Sequence, residues 1–185
     1  KYKGKNFKKD FCAFFLESFQ GWGAVFYPKN YVKQVEMFCK KNDILLIFDE
    51  MQAGFARTGH SFGYKHYGVR PDLICCGKGM GNGYPLSGVI GNEEIMDLPE
   101  IGNMSSTHSA NPLVCAAGIA VLNELNTRNL VLESKRKGIL LKSQLEKLKV
   151  QFPCHINWVL GEGLLLAILF KNAKTGEPDG IFASK

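Results

Sequence analysis

Two acids and one lysine stand directly after apolar runs of this sequence. Glu17 follows FCAFFL, Asp49 follows ILLIF, and Lys78 follows LICCG and lies within GKGMGNG. Such runs are typical of strands that a parallel sheet buries on both faces. Ligands of such sheets bind at the carboxyl ends of the strands, so we expect the three side chains at one edge. There they could form either a structural ion pair or a cofactor site.

The segments that position these residues alternate between strand and helix patterns. The first strand is predicted over residues 11–16, and a helix begins at Pro28. The second strand is predicted over residues 44–48, and a crossover of this length joins parallel strands. Strands over residues 73–76 and 87–91 complete the sheet, after a long loop that contains FARTG.

Two helices and two strands are predicted in the rest of the chain. Asn111 and Pro112 are typical of a helix N-cap and first position. The apolar stripe of that helix comprises Leu113, Ala117, Val121 and Leu125. A second, more polar helix is predicted over residues 130–150, and two strands with a glycine turn follow it. We therefore predict an α/β domain over residues 1–150 and a second, smaller domain that begins at residues 151–185.

Composition and charge exclude several classes of protein. Lysine and arginine exceed aspartate and glutamate by 23 − 17 = 6, but no nucleic-acid-binding motif accompanies this basic excess, which we interpret as solvated helix surface. The six cysteines form no CxxC pair and indicate neither a zinc site nor a disulfide framework. They favour a reducing compartment, and we expect the cytoplasm. The apolar runs are too short to cross a membrane.

One alternative interpretation comes from the run ILLIFDE, which also resembles the Walker B strand of a nucleotide hydrolase. That function needs a phosphate loop upstream, with a lysine followed by serine or threonine. Here Lys78 comes after the acids and is followed by Gly79. The order of the acids and the lysine along the chain opposes this alternative but leaves it open.

A longer pattern resembles the class III aminotransferases, which depend on pyridoxal 5'-phosphate and have the fold type I architecture. Its motifs are DEMQAGFARTG, YGVRPDLICCGKGMGNGYPLSG and STHSANP, and the resemblance extends from LESFQGWG to LGEGLLLAILF. Asp49 and Lys78 are 29 positions apart, as are Lys78 and Thr107. The resemblance implies a partial large cofactor domain with a mostly parallel sheet, followed by the beginning of a small α+β C-terminal domain. We interpret the chain as an internal fragment.

The resemblance also implies roles for four residues. Lys78 matches the lysine that forms the Schiff base with the cofactor, and we expect it to be buried, since desolvation helps a lysine lose its proton. Asp49 matches the partner of the pyridine nitrogen, which keeps the ring protonated as an electron sink. Gln52 matches the residue that contacts the phenolic oxygen. Thr107 matches a threonine that binds the cofactor phosphate of the other subunit in a homodimer with shared active sites.

Two further residues are expected to line the substrate pocket. Glu17 matches the acid of the family's EPxQG segment, although Ser18 replaces the proline. Trp22 stands where relatives that act on ω-amino groups often have glutamate. Trp22 cannot make the ion pair of that glutamate and would offer a flat apolar wall. Arg57, in FARTG, is expected to fix its loop.

The activity implied is transfer of an amino group from an amino acid or amine to a keto acid or aldehyde. An aminomutase or a decarboxylating transaminase would use the same cofactor chemistry, so both remain alternatives. We expect the 185-residue chain alone to be inactive, since the family's phosphate loop and stacked aromatic ring have no counterpart in it.

Overall fold

The computed structural model describes residues 6–184, apart from the side chain of Phe7. Its helices and strands, in chain order, are α1 (Phe7–Asp10), β1 (Ala13–Glu17), α2 (Lys29–Asn42), β2 (Leu45–Asp49), β3 (Leu73–Cys76), β4 (Gly88–Gly91), α3 (Glu93–Met96), α4 (Pro112–Thr127), α5 (Leu130–Gln151), β5 (Ile156–Glu162), β6 (Leu165–Phe170) and α6 (Gly180–Ala183). Short 3-10 helices cover Gly63–Tyr67 and Lys78–Met80. Within the described residues, no helix is both long and apolar enough to cross a membrane.

A four-stranded sheet in the order β1-β2-β3-β4 forms the centre of the fold. The pairs β1–β2 and β2–β3 are parallel, and β3–β4 is antiparallel. Because α2 connects β1 to the parallel strand β2, the predicted strand-helix-strand unit is confirmed. The mostly parallel α/β sheet is confirmed with it.

Helix α2 covers one face of this sheet. Pro28 precedes it with φ fixed near −59°, and Asp43 ends it in the left-handed conformation, where its N–H donates to the Cys39 carbonyl. The helix buries Val32, Val35 and Cys39 against the buried side chains of the sheet. Each fully buried aliphatic side chain of this kind contributes about 1.5–3 kcal/mol. This packing holds β1 and β2 in place, and with them the residues at the carboxyl ends of these strands.

The opposite face of the sheet is only partly covered by the described residues. Phe15 of β1 remains 56% exposed and Val89 of β4 remains 48% exposed. The prediction that the first strand is buried on both faces is therefore wrong. Its alternating exposure follows from the helix on one face only, because neighbouring side chains of a strand point to opposite faces.

The remaining helices lie beyond the sheet. The Asn111 side chain accepts from the Leu113 N–H at 3.0 Å, which confirms the predicted N-cap of α4. The predicted apolar stripe of α4 is only partly covered, since Leu113 is 65% exposed. Strands β5 and β6 form an antiparallel hairpin that contacts α5. The domain boundary near residue 150 stays a prediction, because α5 runs continuously through that position.

Candidate active site

The two predicted acids end adjacent strands of the sheet. The register pairs Glu17 of β1 with Asp49 of β2, and Asp49 with Cys75 of β3. Neighbouring strands lie about 4.8 Å apart, so these three residues form a row at the carboxyl edge. Burial raises the pKa of the Cys75 thiol, and the nearby Asp49 carboxylate raises it further. Cys75 is therefore a neutral thiol in this row.

Asp49 is half-buried and has one oxygen fixed by the backbone. Its Oδ1 accepts a hydrogen bond from the Met51 N–H at 2.8 Å. This bond orients the carboxylate at the start of the turn that follows β2. Oδ2 then remains available for a donor in the adjacent space, and a charge-assisted bond to it would be strong.

Glu50, the next residue, has a different environment. Its carboxylate is fully buried and accepts hydrogen bonds from the Gly63 N–H and the Tyr64 N–H, both at 2.7 Å. Burial raises the pKa of Glu50, although both backbone donors oppose that effect. Sequence reasoning did not find this anchor. Its signal was the acid that directly follows Asp49, the last residue of β2, because consecutive side chains of an extended backbone face opposite ways.

Lys78 lies two residues beyond β3, at the first position of a short 3-10 helix. Its φ is +44°, a left-handed conformation that costs of order 1 kcal/mol for a residue with a side chain. Gly77 precedes it, and a Cβ there would overlap Met51 Sδ. The prediction that Lys78 is buried is wrong for this chain, where the residue is exposed. The physical reason is that the described residues cover Lys78 on one side only, because the neighbouring segment 82–85 is itself exposed.

The structure brings four of the six predicted site residues to one cavity. A cavity of about 80 Å³ is lined by Glu17, Asp49, Gln52 and Lys78, together with Phe19, Met51 and Ala53. Within residues 6–184, no ion pair joins Lys78 to Asp49 or Glu17. The structural ion pair, one of the two interpretations of the sequence pattern, is therefore not formed.

A second cavity also has Lys78 in its lining. It measures about 280 Å³, and its lining includes Gln52, Arg57, Gly79 and Leu165. Leu165, the first residue of β6, was not anticipated from the sequence. No motif distinguishes it, because a leucine in a short apolar strand indicates a core residue and not a site residue. Lys78 therefore borders both cavities.

The other two predicted site residues are not brought to these cavities. Trp22 is 75% exposed on the loop after β1. Thr107 is exposed within the turns that precede α4. Neither is among the residues that line these two cavities, or a third of about 430 Å³ that Lys78 also borders. Their predicted roles, like those of the other four residues, stay predictions.

Comparison with known proteins decides between the remaining families. A model of the class III aminotransferase family matches residues 1–184. The chain belongs to this family. The resemblance drawn from the motifs is thereby confirmed, and the nucleotide hydrolase is not favoured. The burial of Glu50 also opposes a Walker B function, since this carboxylate is engaged by backbone amides and cannot reach a ligand.

Relatives of this class III aminotransferase chain differ in the reaction that their names state. The chain is 40% identical to the acetylornithine aminotransferase of Caldanaerobacter subterraneus subsp. tengcongensis, over 84% of this chain and 39% of that protein. It is 36% identical to the leucine/methionine racemase of Thermococcus litoralis, over 96% of this chain and 40% of that protein. The chain thus spans about two fifths of the length of these curated relatives.

A solved structure shows the same fold. The chain matches the ornithine aminotransferase of Toxoplasma gondii with a TM-score of 0.82 and 33% identity, over 86% of this chain and 38% of that chain. That structure has pyridoxal phosphate at partial occupancy in its active site. The predicted partial fold type I architecture is therefore confirmed.

Proposed function

We propose that the protein is a pyridoxal 5'-phosphate-dependent aminotransferase whose cofactor is bound by Lys78. The observation that carries this proposal is the cavity shared by Lys78, Asp49 and Gln52, in a chain of the class III family. A primary amine, a carboxylate and an amide at the carboxyl edge of a parallel sheet match the needs of this cofactor.

Three side chains of this cavity fit pyridoxal phosphate at three of its positions. Lys78 provides a reachable amine for the aldehyde, and Gln52 provides an amide for the phenolic oxygen. Asp49 has one carboxylate oxygen that remains available after its bond to the Met51 N–H, and this oxygen would hold the proton on the ring nitrogen. When bound, pyridoxal phosphate supplies an aldehyde for the substrate amine and a ring that accepts electrons.

Lys78 would do the proton chemistry. Its amine would act as general base for the proton on the substrate Cα and as general acid when a proton is returned. Glycines on either side keep the backbone around this lysine free of side chains. The glycine-flanked, left-handed backbone gives the amine a defined direction from the sheet edge.

We propose pocket roles for Glu17, the last residue of β1, and for Trp22 in the loop that follows it. Glu17 lines the cavity beside Asp49 and would contact the substrate. Trp22 would form an apolar wall in place of the glutamate found in many relatives. The names of relatives such as acetylornithine aminotransferase point to ω-amino substrates, and Trp22 predicts that any such substrate is bound without that glutamate ion pair.

We also propose a homodimer in which Thr107 serves the phosphate of the partner's cofactor. The exposure of Thr107, away from the cavities beside Lys78 of its own chain, supports this placement.

The substrates would be a small amino donor and a keto or aldehyde acceptor. We place the small domain from residue 151 onward. The cytoplasm is supported by six free thiols, of which Cys39 and Cys76 are buried.

The cofactor is tested by absorbance spectroscopy of the full-length protein. Wild type with pyridoxal phosphate should show the visible band of the lysine-bound cofactor, and borohydride reduction should leave the mass of the cofactor on the peptide containing Lys78. Lys78→Ala should lose both signals. Lys65→Ala, at another exposed lysine, is the control. A labelled peptide that does not contain Lys78 would contradict the proposal.

The reaction is tested by following both products. Amino donors are supplied with 2-oxoglutarate or pyruvate, and the acceptor's amino product is measured. A transaminase needs the acceptor, whereas a racemase inverts a chiral amino acid without one. Because one relative is named as a racemase, the same samples should be read by chiral chromatography. Inversion without an acceptor, and no amino transfer, would replace the proposed reaction.

A further inference from the structure

The tip of the β5–β6 hairpin packs backbone to backbone against the FARTG loop. The Leu164 N–H donates to the Arg57 carbonyl at 2.9 Å. Gly163 has a φ of +57°, and a Cβ on it would overlap the Thr58 carbonyl carbon and lie 2.6 Å from the Gly59 nitrogen. Only a residue without a side chain fits this contact.

Helix α5 closes on the same tip from the other side. A Cβ on Gly138 would overlap the Gly163 backbone. The Lys142 ammonium donates to the Gly161 carbonyl at 2.9 Å, and thereby ties the hairpin to the helix. A Cβ on Gly59 would lie 3.1 Å from the Lys135 Cα. Helix, hairpin tip and FARTG loop therefore meet at glycines with almost no free space.

The FARTG loop continues this contact to the neighbourhood of Lys78. Phe55 and Ala56 both have left-handed backbones, with φ of +57° and +69°. Two strained residues in sequence persist only where their surroundings hold them. The Phe55 side chain lies over Gly79, where a Cβ would be 3.4 Å from Phe55 Cβ. Gly79 directly follows Lys78, and the backbone of Lys78 is also left-handed.

The first residue of β6 reaches the site directly. Leu165 lines the cavity of about 280 Å³ beside Lys78 and Gln52. It also packs against the buried cluster that contains Phe19 and Ala53. The hairpin therefore contacts the loop after β1, the turn after β2 and the FARTG loop, all of which border the lysine.

We propose that the β5–β6 hairpin tip is a positioning element for Lys78, with Gly163 as the residue that seats it. This inference rests on the proposed function of Lys78. The tip holds Arg57 to Gly59 in place, this loop holds Phe55 over Gly79, and Gly79 fixes the direction of the lysine. Gly163 touches no reacting atom, so its role is to position a group that does.

Hydrogen exchange of the full-length apoprotein tests the contact without relying on activity. Gly163→Ala should speed exchange by about tenfold or more in both segment 54–60 and segment 77–82, since local protection follows the stability of the packing around an amide. Gly176→Ala is the matched control, because its φ is +76° and nothing lies within 4 Å of its Cβ position. The control should change exchange in both segments by less than about twofold.

Kinetics of the holoenzyme give the second measurement. Gly163→Ala should lower kcat by about 10- to 100-fold, because small displacements of a reacting group have effects of this size. The lysine-bound cofactor band and KM should change little. Lys142→Met, which removes the tie to Gly161 without adding bulk, should lower kcat in the same direction and keeps the test decisive if Gly163→Ala does not fold.

Two outcomes would overturn the inference. One is unchanged exchange in segment 77–82 with kcat within about twofold of wild type in both hairpin variants, as expected of a contact that serves only folding. The other is an equal effect from Gly176→Ala. Failure of the proposed function is distinguishable from both, since wild type would then lack the cofactor band while exchange still reports the coupling of the two segments.

Discussion

Asp49 and Glu50 are consecutive acids whose carboxylates lie on opposite sides of the backbone. Asp49 is half-buried and lines the cavity beside Lys78, whereas Glu50 is fully buried and accepts from the Gly63 and Tyr64 amides. This division follows from the alternation of side chains along β2. One acid thus borders the cavity beside Lys78, and the other holds the backbone of Gly63 and Tyr64.

Asp49→Asn should reduce kcat by about 100-fold or more, the order of effect seen when one electrostatic contact to a developing charge is removed. An asparagine cannot keep a ring nitrogen protonated. Stability should change little, because the amide oxygen can still accept from the Met51 N–H. Steady-state kinetics and urea unfolding of the full-length protein measure both. Glu17→Gln, at the paired position of β1, is the control and should have a smaller effect on kcat. Wild-type kcat in the Asp49→Asn enzyme would remove Asp49 from its proposed role.

Glu50→Gln should destabilise the fold by about 1–3 kcal/mol near pH 4.5, the cost of leaving a buried donor unsatisfied. Glutamine has one accepting oxygen for two N–H donors, whereas even a protonated carboxyl has lone pairs on both oxygens. Burial raises the pKa of Glu50. Its contribution to stability is therefore greatest below the ordinary pKa of 4.5 and is lost as pH rises through the folded-state pKa.

Urea unfolding at a series of pH values checks this sign. The difference in unfolding free energy between wild type and Glu50→Gln should shrink as pH rises above 4.5. Glu36→Gln is an informative comparison, because Lys40 and the Arg70 N–H outweigh desolvation and lower the pKa of Glu36. Its contribution should instead be present above pH 4.5 and fade as pH falls. If the difference in unfolding free energy between wild type and Glu50→Gln instead grew with pH, ionisation of the buried Glu50 carboxyl would not destabilise the fold.

The sequence predicted the elements whose signals are local. The Asn111 cap gave a helix start that the structure confirms, Pro28 lies one residue before the observed start of α2, and the apolar run LICC gave β3 with its observed bounds. Exposure was less predictable, because burial depends on what covers a face. Thus Phe15 is in a wholly apolar run and yet is exposed, whereas its neighbour Leu16 belongs to the buried cluster that α2 covers.

The site divides in the same way. Residues that follow strands, such as Glu17 and Asp49, could be grouped from the sequence because parallel strands end at one edge. Leu165 and Gly163 could not, because their contacts join segments about 100 residues apart through tertiary packing. Such contacts leave no periodic signal in the sequence. The left-handed backbone of Lys78 was equally hidden, since that conformation is uncommon for a residue with a long side chain.

Tyr67→Phe should cost about 1–2 kcal/mol of stability at neutral pH, through loss of buried hydrogen bonds. The Tyr67 hydroxyl donates to the Ser18 carbonyl at 2.5 Å and accepts from the Tyr27 N–H at 3.2 Å. Burial raises the pKa of Tyr67 to about 12 from its ordinary 10. Stability from this residue should therefore be complete below pH 10 and be lost as pH rises through 12.

Alkaline unfolding checks the sign of this effect. The advantage of wild type over Tyr67→Phe should fall between pH 10 and 12 and disappear, since each unit of pKa shift corresponds to about 1.4 kcal/mol. Tyr31→Phe, at a tyrosine that is 45% exposed, is the control for general alkaline effects. An equal slope for both variants would mean that the Tyr67 phenol does not govern the alkaline transition.

Hybrid dimers test whether Thr107 acts across the subunit interface. Lys78→Ala and Thr107→Ala subunits of the full-length protein are each expected to be nearly inactive. In a mixed dimer, the Thr107→Ala subunit supplies an intact Lys78, and the other subunit supplies an intact Thr107. If the threonine serves the partner's cofactor, these two residues complete one site. Equal mixing makes half of the dimers hybrid, each with one working site of two, so activity should return to about one quarter of wild type.

The opposite arrangement makes a different forecast from the same mixture. If Thr107 serves its own subunit, every site in the hybrid lacks either Lys78 or Thr107, and mixing restores nothing. A double variant with Lys78→Ala and Thr107→Ala in one chain, mixed with wild type, controls for subunit exchange. It should leave wild-type homodimers active but produce hybrids without a working site if Thr107 acts in trans. The two mixtures together therefore locate the threonine by activity alone, because the two arrangements give opposite results for the hybrid dimer in each.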